Sequence, residues 1–121
     1  MDLYREEILE HYHNPSNKGK LDDYDFSSEA HNPTCGDEIS IYIKVDADDN
    51  IADISFEGSG CAISQAVASM LTEHLKNKTL DVLKSMTKED ILDLLGIELS
   101  HARLKCALLS LEVAQKAINQ K

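Results

Sequence analysis

Three cysteines and one aspartate are the residues of this chain best able to do chemistry. Cys35 and Asp37 lie in the run Asn32-Pro33-Thr34-Cys35-Gly36-Asp37, Cys61 lies in Gly58-Ser59-Gly60-Cys61-Ala62, and Cys106 lies in Arg103-Leu104-Lys105-Cys106. Three thiolates and a carboxylate make four donors, which suits tetrahedral zinc or the open positions of a two-iron, two-sulfide cluster. A carboxylate oxygen is a harder donor than sulfur, so one Asp among thiolates holds such a cargo less tightly than a fourth Cys would. Gly36, between two of the donors, lets the backbone fold back so that both side chains aim at one point, and Gly58 and Gly60 allow a close approach. A single cysteine is more often a small buried hydrophobe. Three of them, flanked by glycine or lysine and joined by a Cys-Gly-Asp turn, read together as a metal or cluster set.

The positioning elements follow from periodicity. Over residues 38–45, Ile39, Ile41, Ile43 and Val45 alternate with Glu38, Ser40, Tyr42 and Lys44, which predicts a strand with one buried face. Residues 46–50 read as a solvated turn, without the longer ligand sequence of a calcium loop, and Ile54 and Phe56 resume the alternation. A β-hairpin is expected, with a further antiparallel strand near residues 26–30. After Gly60 the apolar spacing changes to that of a helix through Ile63, Ala66, Val67, Met70, Leu71, His74 and Leu75, with His74 packed at the margin of the core. A short opening helix over residues 2–12 carries Tyr4, Ile8 and Leu9 on its apolar face and stops before Asn14-Pro15. Residues 15–25 read as a loop.

Thr87-Lys88-Glu89-Asp90 resembles a capping box for a short helix ending at Gly96. A last helix starts at about Ser100, with Leu104, Leu108, Leu111 and Ile118 on its main stripe and Leu109, Val113 and Ala117 beside it. The fold class is therefore α+β: a small antiparallel β-sheet of about three strands with helices packed on one face. Cys35 and Asp37 then sit at the turn opening a strand, Cys61 where the sheet passes to a helix, and Cys106 early in the last helix.

At 121 residues, one domain spanning 1–121 is expected. Twelve basic against 22 acidic residues give a formal charge of −10, with no basic cluster, which argues against a nucleic-acid or anionic-membrane surface. The first residues have no secretory pattern and no apolar run is long enough to span a bilayer, so a cytoplasmic protein is expected. An odd number of widely spaced cysteines is a poor disulfide framework in that setting.

Pro33-Thr34-Cys35-Gly36-Asp37, the turn Gly60-Cys61-Ala62-Ile63-Ser64 and the late Lys105-Cys106 resemble the three cysteine motifs of the U-type iron–sulfur cluster scaffolds, the family of IscU, SufU and the N-terminal domain of NifU. The opening helix ending in Asn14-Pro15 extends the likeness over nearly the whole chain. The resemblance implies that Cys35, Asp37, Cys61 and Cys106 ligate a transient 2Fe-2S cluster, iron or zinc. It also implies a cysteine desulfurase as sulfur donor, apo iron–sulfur proteins as recipients and a homodimer in the cluster-bound state. Such a protein is a scaffold or carrier and not an enzyme. Cys106 is the candidate persulfide acceptor and Lys105 its candidate assistant. Two features distinguish this chain within the family. The IscU branch has His before the third cysteine and a proline-containing chaperone motif upstream, whereas Lys105 stands here and residues 97–104 contain no proline. Lys105 is SufU-like, yet the spacing of the second and third cysteines leaves no room for the SufU insertion. The alternative to a cluster scaffold is thus a zinc-bound, SufU-like sulfur acceptor that stimulates a desulfurase. A purely structural zinc domain fits less well, because structural sites use closely spaced Cys or His pairs.

Overall fold

The computed structural model describes residues 3–32 and 36–119. The elements in chain order are α1 (Leu3–His13), β1 (Phe26–Asn32), β2 (Asp37–Val45), β3 (Ile51–Ser59), α2 (Ala62–Leu75), α3 (Leu80–Ser85), α4 (Lys88–Leu95) and α5 (His101–Ile118). The three strands form an antiparallel sheet in the order β1-β2-β3, so the α+β expectation holds. Ile39, Ile41 and Ile43 of β2, with Ile54 and Phe56 of β3, are all fully buried on one face. At roughly 1.5–3 kcal/mol for each such side chain, that face supplies much of the drive to fold. Cross-strand pairing puts Ile41 against Phe56 and Ile43 against Ile54. A one-residue slip would turn this row to solvent, so the pattern that identifies the strand also fixes its register.

The helices lie on the isoleucine face, with α2 against β3 and α5 against β1 and β2, while α1 packs on α2 and α4 on both long helices. Outside the strands, the N–H of Phe56 donates to Asn17 O and that of Gly19 to Phe56 O, so part of the expected opening loop runs along β3. In α4 the Asp90 carboxylate accepts the Thr87 N–H at 2.8 Å, as the capping-box spacing foretold.

Three expectations need correction, and one helix was not foreseen. His74 is exposed, because the apolar face of α2 at its C-terminal end turns toward Leu71 and Leu75 and leaves position 74 outside. Among the α1 residues whose side chains are described, 6–13, only Ile8 is buried and its neighbour Leu9 is exposed, since residues one apart on a helix point about 100° away from each other; Tyr4 lies outside them. The buried stripe of α5 is centred on Cys106, Ser110, Val113 and Ala117, so Leu104 and Leu108 sit at its edge. The six-residue α3 carries only Leu80 and Leu83 into the core, too little pattern to announce a helix, and it is held by Gln115 Nε2 of α5, which donates to Leu83 O and Met86 O. No helix among the described residues is long and apolar enough to cross a membrane.

Candidate metal centre

The sheet delivers the first donor. Asp37 opens β2 opposite Asn32 of β1, and the intervening connection ends at Gly36, whose N–H donates to Asn32 O at 2.8 Å with φ at +73°. A side chain at position 36 would have to adopt a left-handed backbone that favours glycine. Asp37 therefore points to the helix-covered side at the end of the strand, and it is fully buried.

The second donor comes from the junction of β3 and α2. Gly60 lies beside Asp37 at φ +141°, and a Cβ there would fall 2.1 Å from Asp37 Oδ1. The chain can only pass the carboxylate because position 60 has no side chain. Immediately after it, Cys61 is the N-cap of α2, and its N–H donates to Asp37 Oδ1 at 2.7 Å. That bond holds the helix start against the strand start. The other carboxylate oxygen, Oδ2, stands 3.8 Å from Cys61 Sγ.

The third donor arrives on α5, where Cys106 is 1% exposed. One ligand atom each from Asp37, Cys61 and Cys106 lies within 4.8 Å of the other two, and among the described residues this is the only such grouping of three His, Cys, Asp or Glu side chains. Of the four predicted ligands, then, three are together and Cys35 lies outside the described residues. Lys105 and Arg103 are exposed, and the exposed His101 is not among the grouped ligands.

The arrangement suits a cation. Buried carboxylates are normally paired with a charge or bound to a metal. Asp37 receives one backbone N–H, and among the described residues no Lys or Arg reaches it. Two thiols on the same side offer soft donors to zinc or iron. A hollow of about 470 Å³ lies on the opposite, open face of the sheet, walled by Glu29, His31, Glu38 and Glu57, and neither Cys61 nor Cys106 lines it.

One polar junction was not foreseen. His11 Nδ1 and Ser69 Oγ are 2.7 Å apart, and the same hydroxyl accepts the Ser16 N–H, so α1 and the segment after it are pinned to α2. A histidine on a polar helix and a serine within an apolar one carry no signal that they meet across 58 residues of sequence.

A sheet-and-helix domain with two cysteines and an aspartate at one end is the class of protein defined so far. Residues 3–120 match the family model for the NifU-like N terminal domain, and the chain belongs to that family. It is 41% identical to the zinc-dependent sulfurtransferase SufU of Bacillus subtilis, over 96% of this chain and 89% of SufU. It is 34% identical to the iron–sulfur cluster assembly scaffold protein IscU of Escherichia coli, over 95% of this chain and 91% of IscU. The SufU match extends over 133 positions, more than the 121 residues present here, so SufU carries residues with no counterpart in this chain. A crystal structure of a candidate iron–sulfur cluster assembly scaffold for the SUF system of Fervidobacterium islandicum AW-1 superposes with a TM-score of 0.82 at 27% identity, covering 94% of this chain and 95% of that one.

Proposed function

We propose that the protein is a scaffold on which iron and desulfurase-delivered sulfur are assembled into a transient 2Fe-2S cluster that is then passed to apo-proteins. The observation that carries this reading is the convergence of a buried, under-partnered Asp37 with Cys61 and Cys106. Cys35, two residues before Asp37, is the fourth ligand. The whole of 1–121 acts as one scaffold domain, a carrier whose turnover is transfer of cargo.

Sulfur enters as a persulfide. The thiolate of Cys106 attacks the terminal sulfur of the desulfurase persulfide, a new S–S bond forms on Cys106, and the old S–S bond breaks with its electron pair leaving on the desulfurase cysteine. Two external thiols, oxidised together to a disulfide, or two transfers from a one-electron carrier then supply the two electrons that cleave the new bond, giving sulfide and restoring the Cys106 thiolate. Because Cys106 is buried while Cys61 is partly exposed, this transfer needs the site to open when the desulfurase docks. Asp37, the hardest of the donors, is the ligand that lets go first when a recipient competes.

A second reading is favoured by the likeness to the zinc-dependent sulfurtransferase and by Lys105 beside Cys106. In it, zinc occupies the site at rest and is displaced as a thiolate accepts persulfide. Iron, zinc and acid-labile sulfide counted after anaerobic incubation with a cysteine desulfurase, cysteine and ferrous iron decide between them. Near-equal iron and sulfide with little zinc is the expected outcome. Retained zinc without labile sulfide would replace the scaffold with the sulfur acceptor.

A further inference from the structure

Two buried polar side chains lie one helical turn behind the two described cysteines. Gln65 follows Cys61 by four positions on α2 and is 6% exposed, yet neither its Nε2 nor its Oε1 has a hydrogen-bond partner. Ser110 follows Cys106 by four positions on α5, is 1% exposed, and its Oγ is likewise unpartnered. The helical turn linking Gln65 to the site is closed, since the Gln65 N–H donates to Cys61 O at 3.2 Å. Side chains of a helix lean toward its N-terminus and over the residues three and four positions earlier. Gln65 therefore leans toward the level of Cys61, and Ser110 toward that of Cys106.

Buried polar groups are almost always satisfied, and a carboxamide left bare at both ends is the costliest of the orphans here. The other two, the hydroxyls of Ser28 and Ser55, sit in mid-strand opposite Ile41 and Tyr42, away from the site. The other buried polar side chains of α2 are satisfied, Ser64 Oγ donating to Cys61 O at 3.1 Å and Thr72 Oγ1 to Ser69 O at 2.9 Å, which sets Gln65 apart. Burying an amide there without a partner makes sense if the partner arrives later.

We infer that Gln65 is a hydrogen-bond donor reserved for the sulfur cargo of the site, its Nε2–H groups satisfied by sulfide or persulfide sulfur bound beside Cys61, with Ser110 in the same role behind Cys106. This rests on the scaffold reading and adds to it a residue that senses sulfur rather than metal. Hydrogen bonds to cluster sulfurs stabilise their negative charge and set how long the cluster persists. Zinc held by thiolates and a carboxylate brings no additional sulfur, so it gains nothing from the donor.

The test compares wild type with Gln65→Met, which is close in shape and has no N–H. Both full-length proteins are loaded anaerobically with ferrous iron and inorganic sulfide, and the sulfide-to-iron absorbance is followed after an iron chelator is added. Zinc affinity by chelator competition and the melting temperature of the metal-free protein are measured in parallel. The expected result is a cluster lifetime shortened about tenfold, zinc affinity within about twofold of wild type, and an unchanged or higher metal-free melting temperature because an orphan amide is gone. A cluster lifetime within about twofold of wild type would overturn the donor role. So would parallel loss of zinc and cluster, or a lower melting temperature, since either marks Gln65 as a structural residue. If wild type itself takes up no labile sulfide, the scaffold reading falls and the donor role with it.

Discussion

The two ends of the sheet handle their polar groups in opposite ways. At the hairpin end, the Asp46 carboxylate accepts the N–H groups of Asp48 and Asn50 and the side-chain amide of Asn50, at 2.9 to 3.2 Å. The same end is sewn to the start of α3 by the Leu80 N–H donating to Asp49 O and the Ile51 N–H donating to Lys78 O. At the other end, a buried Asp37 receives one backbone N–H, two thiols stand beside it, and Gln65 and Ser110 are left bare. Both ends carry an aspartate at a strand terminus. One is saturated by its own turn and serves stability; the other is held short of saturation and is open to a ligand from outside.

If that contrast is right, substitutions at the two ends have separable consequences. The largest effect is expected for Cys61→Ser, which weakens zinc binding by more than about 100-fold, beyond the 10–100-fold typical of outer-shell changes. Chelator competition measures it, and the fold should persist because Cys61 is only partly buried. Next comes Gly60→Ala. A Cβ 2.1 Å from Asp37 Oδ1, on a backbone at φ +141°, should cost about 3 kcal/mol or more in denaturant unfolding and also disturb the metal site. Ile54→Ala creates a cavity nearer the hairpin and should cost a similar 2–5 kcal/mol, but leave zinc affinity per folded molecule unchanged. Were Ile54→Ala to weaken zinc as much as Gly60→Ala does, the two ends would not be independent.

The smallest effect belongs to Asp46. Hydrogen bonding, first from the Asn50 backbone N–H, holds its carboxyl below the usual carboxylate range. A lowered folded-state value means that the group adds stability above its unfolded value, lost as the pH falls through the folded one. Asp46→Asn should therefore flatten the acid side of the stability profile below about pH 4 and leave neutral pH nearly unaffected. Urea midpoints measured between pH 2 and 7 would reveal it.

The sequence made the strands and the donors legible for one reason: both are local. Alternation in β2 and the cap at Thr87 can be read within ten residues, and Cys-Gly-Asp and Gly-Cys are short motifs. What could not be read depends on contacts between distant elements. That Asp37 would be fully buried follows from α2 and α5 closing over it. The rotation of α5 that buries Cys106 and Ser110 and leaves Leu104 at the edge is set by how that helix beds on β1 and β2. The exposure of His74 and Leu9 likewise reflects which side of each helix has a neighbour, which spacing alone does not state. That the buried amide of Gln65 has no hydrogen-bond partner is invisible in any motif, because it depends on what neighbouring elements fail to supply.

Asp37 and Cys61 are 24 positions apart, and Cys106 is delivered only by the last helix. Two loop closures must therefore be completed before the three ligand atoms meet. The site is complete only when α5 follows the sheet and α2 into place. A chain whose α5 has not docked cannot assemble the three-donor site, so bound cargo doubles as a report that α5 has packed against the sheet.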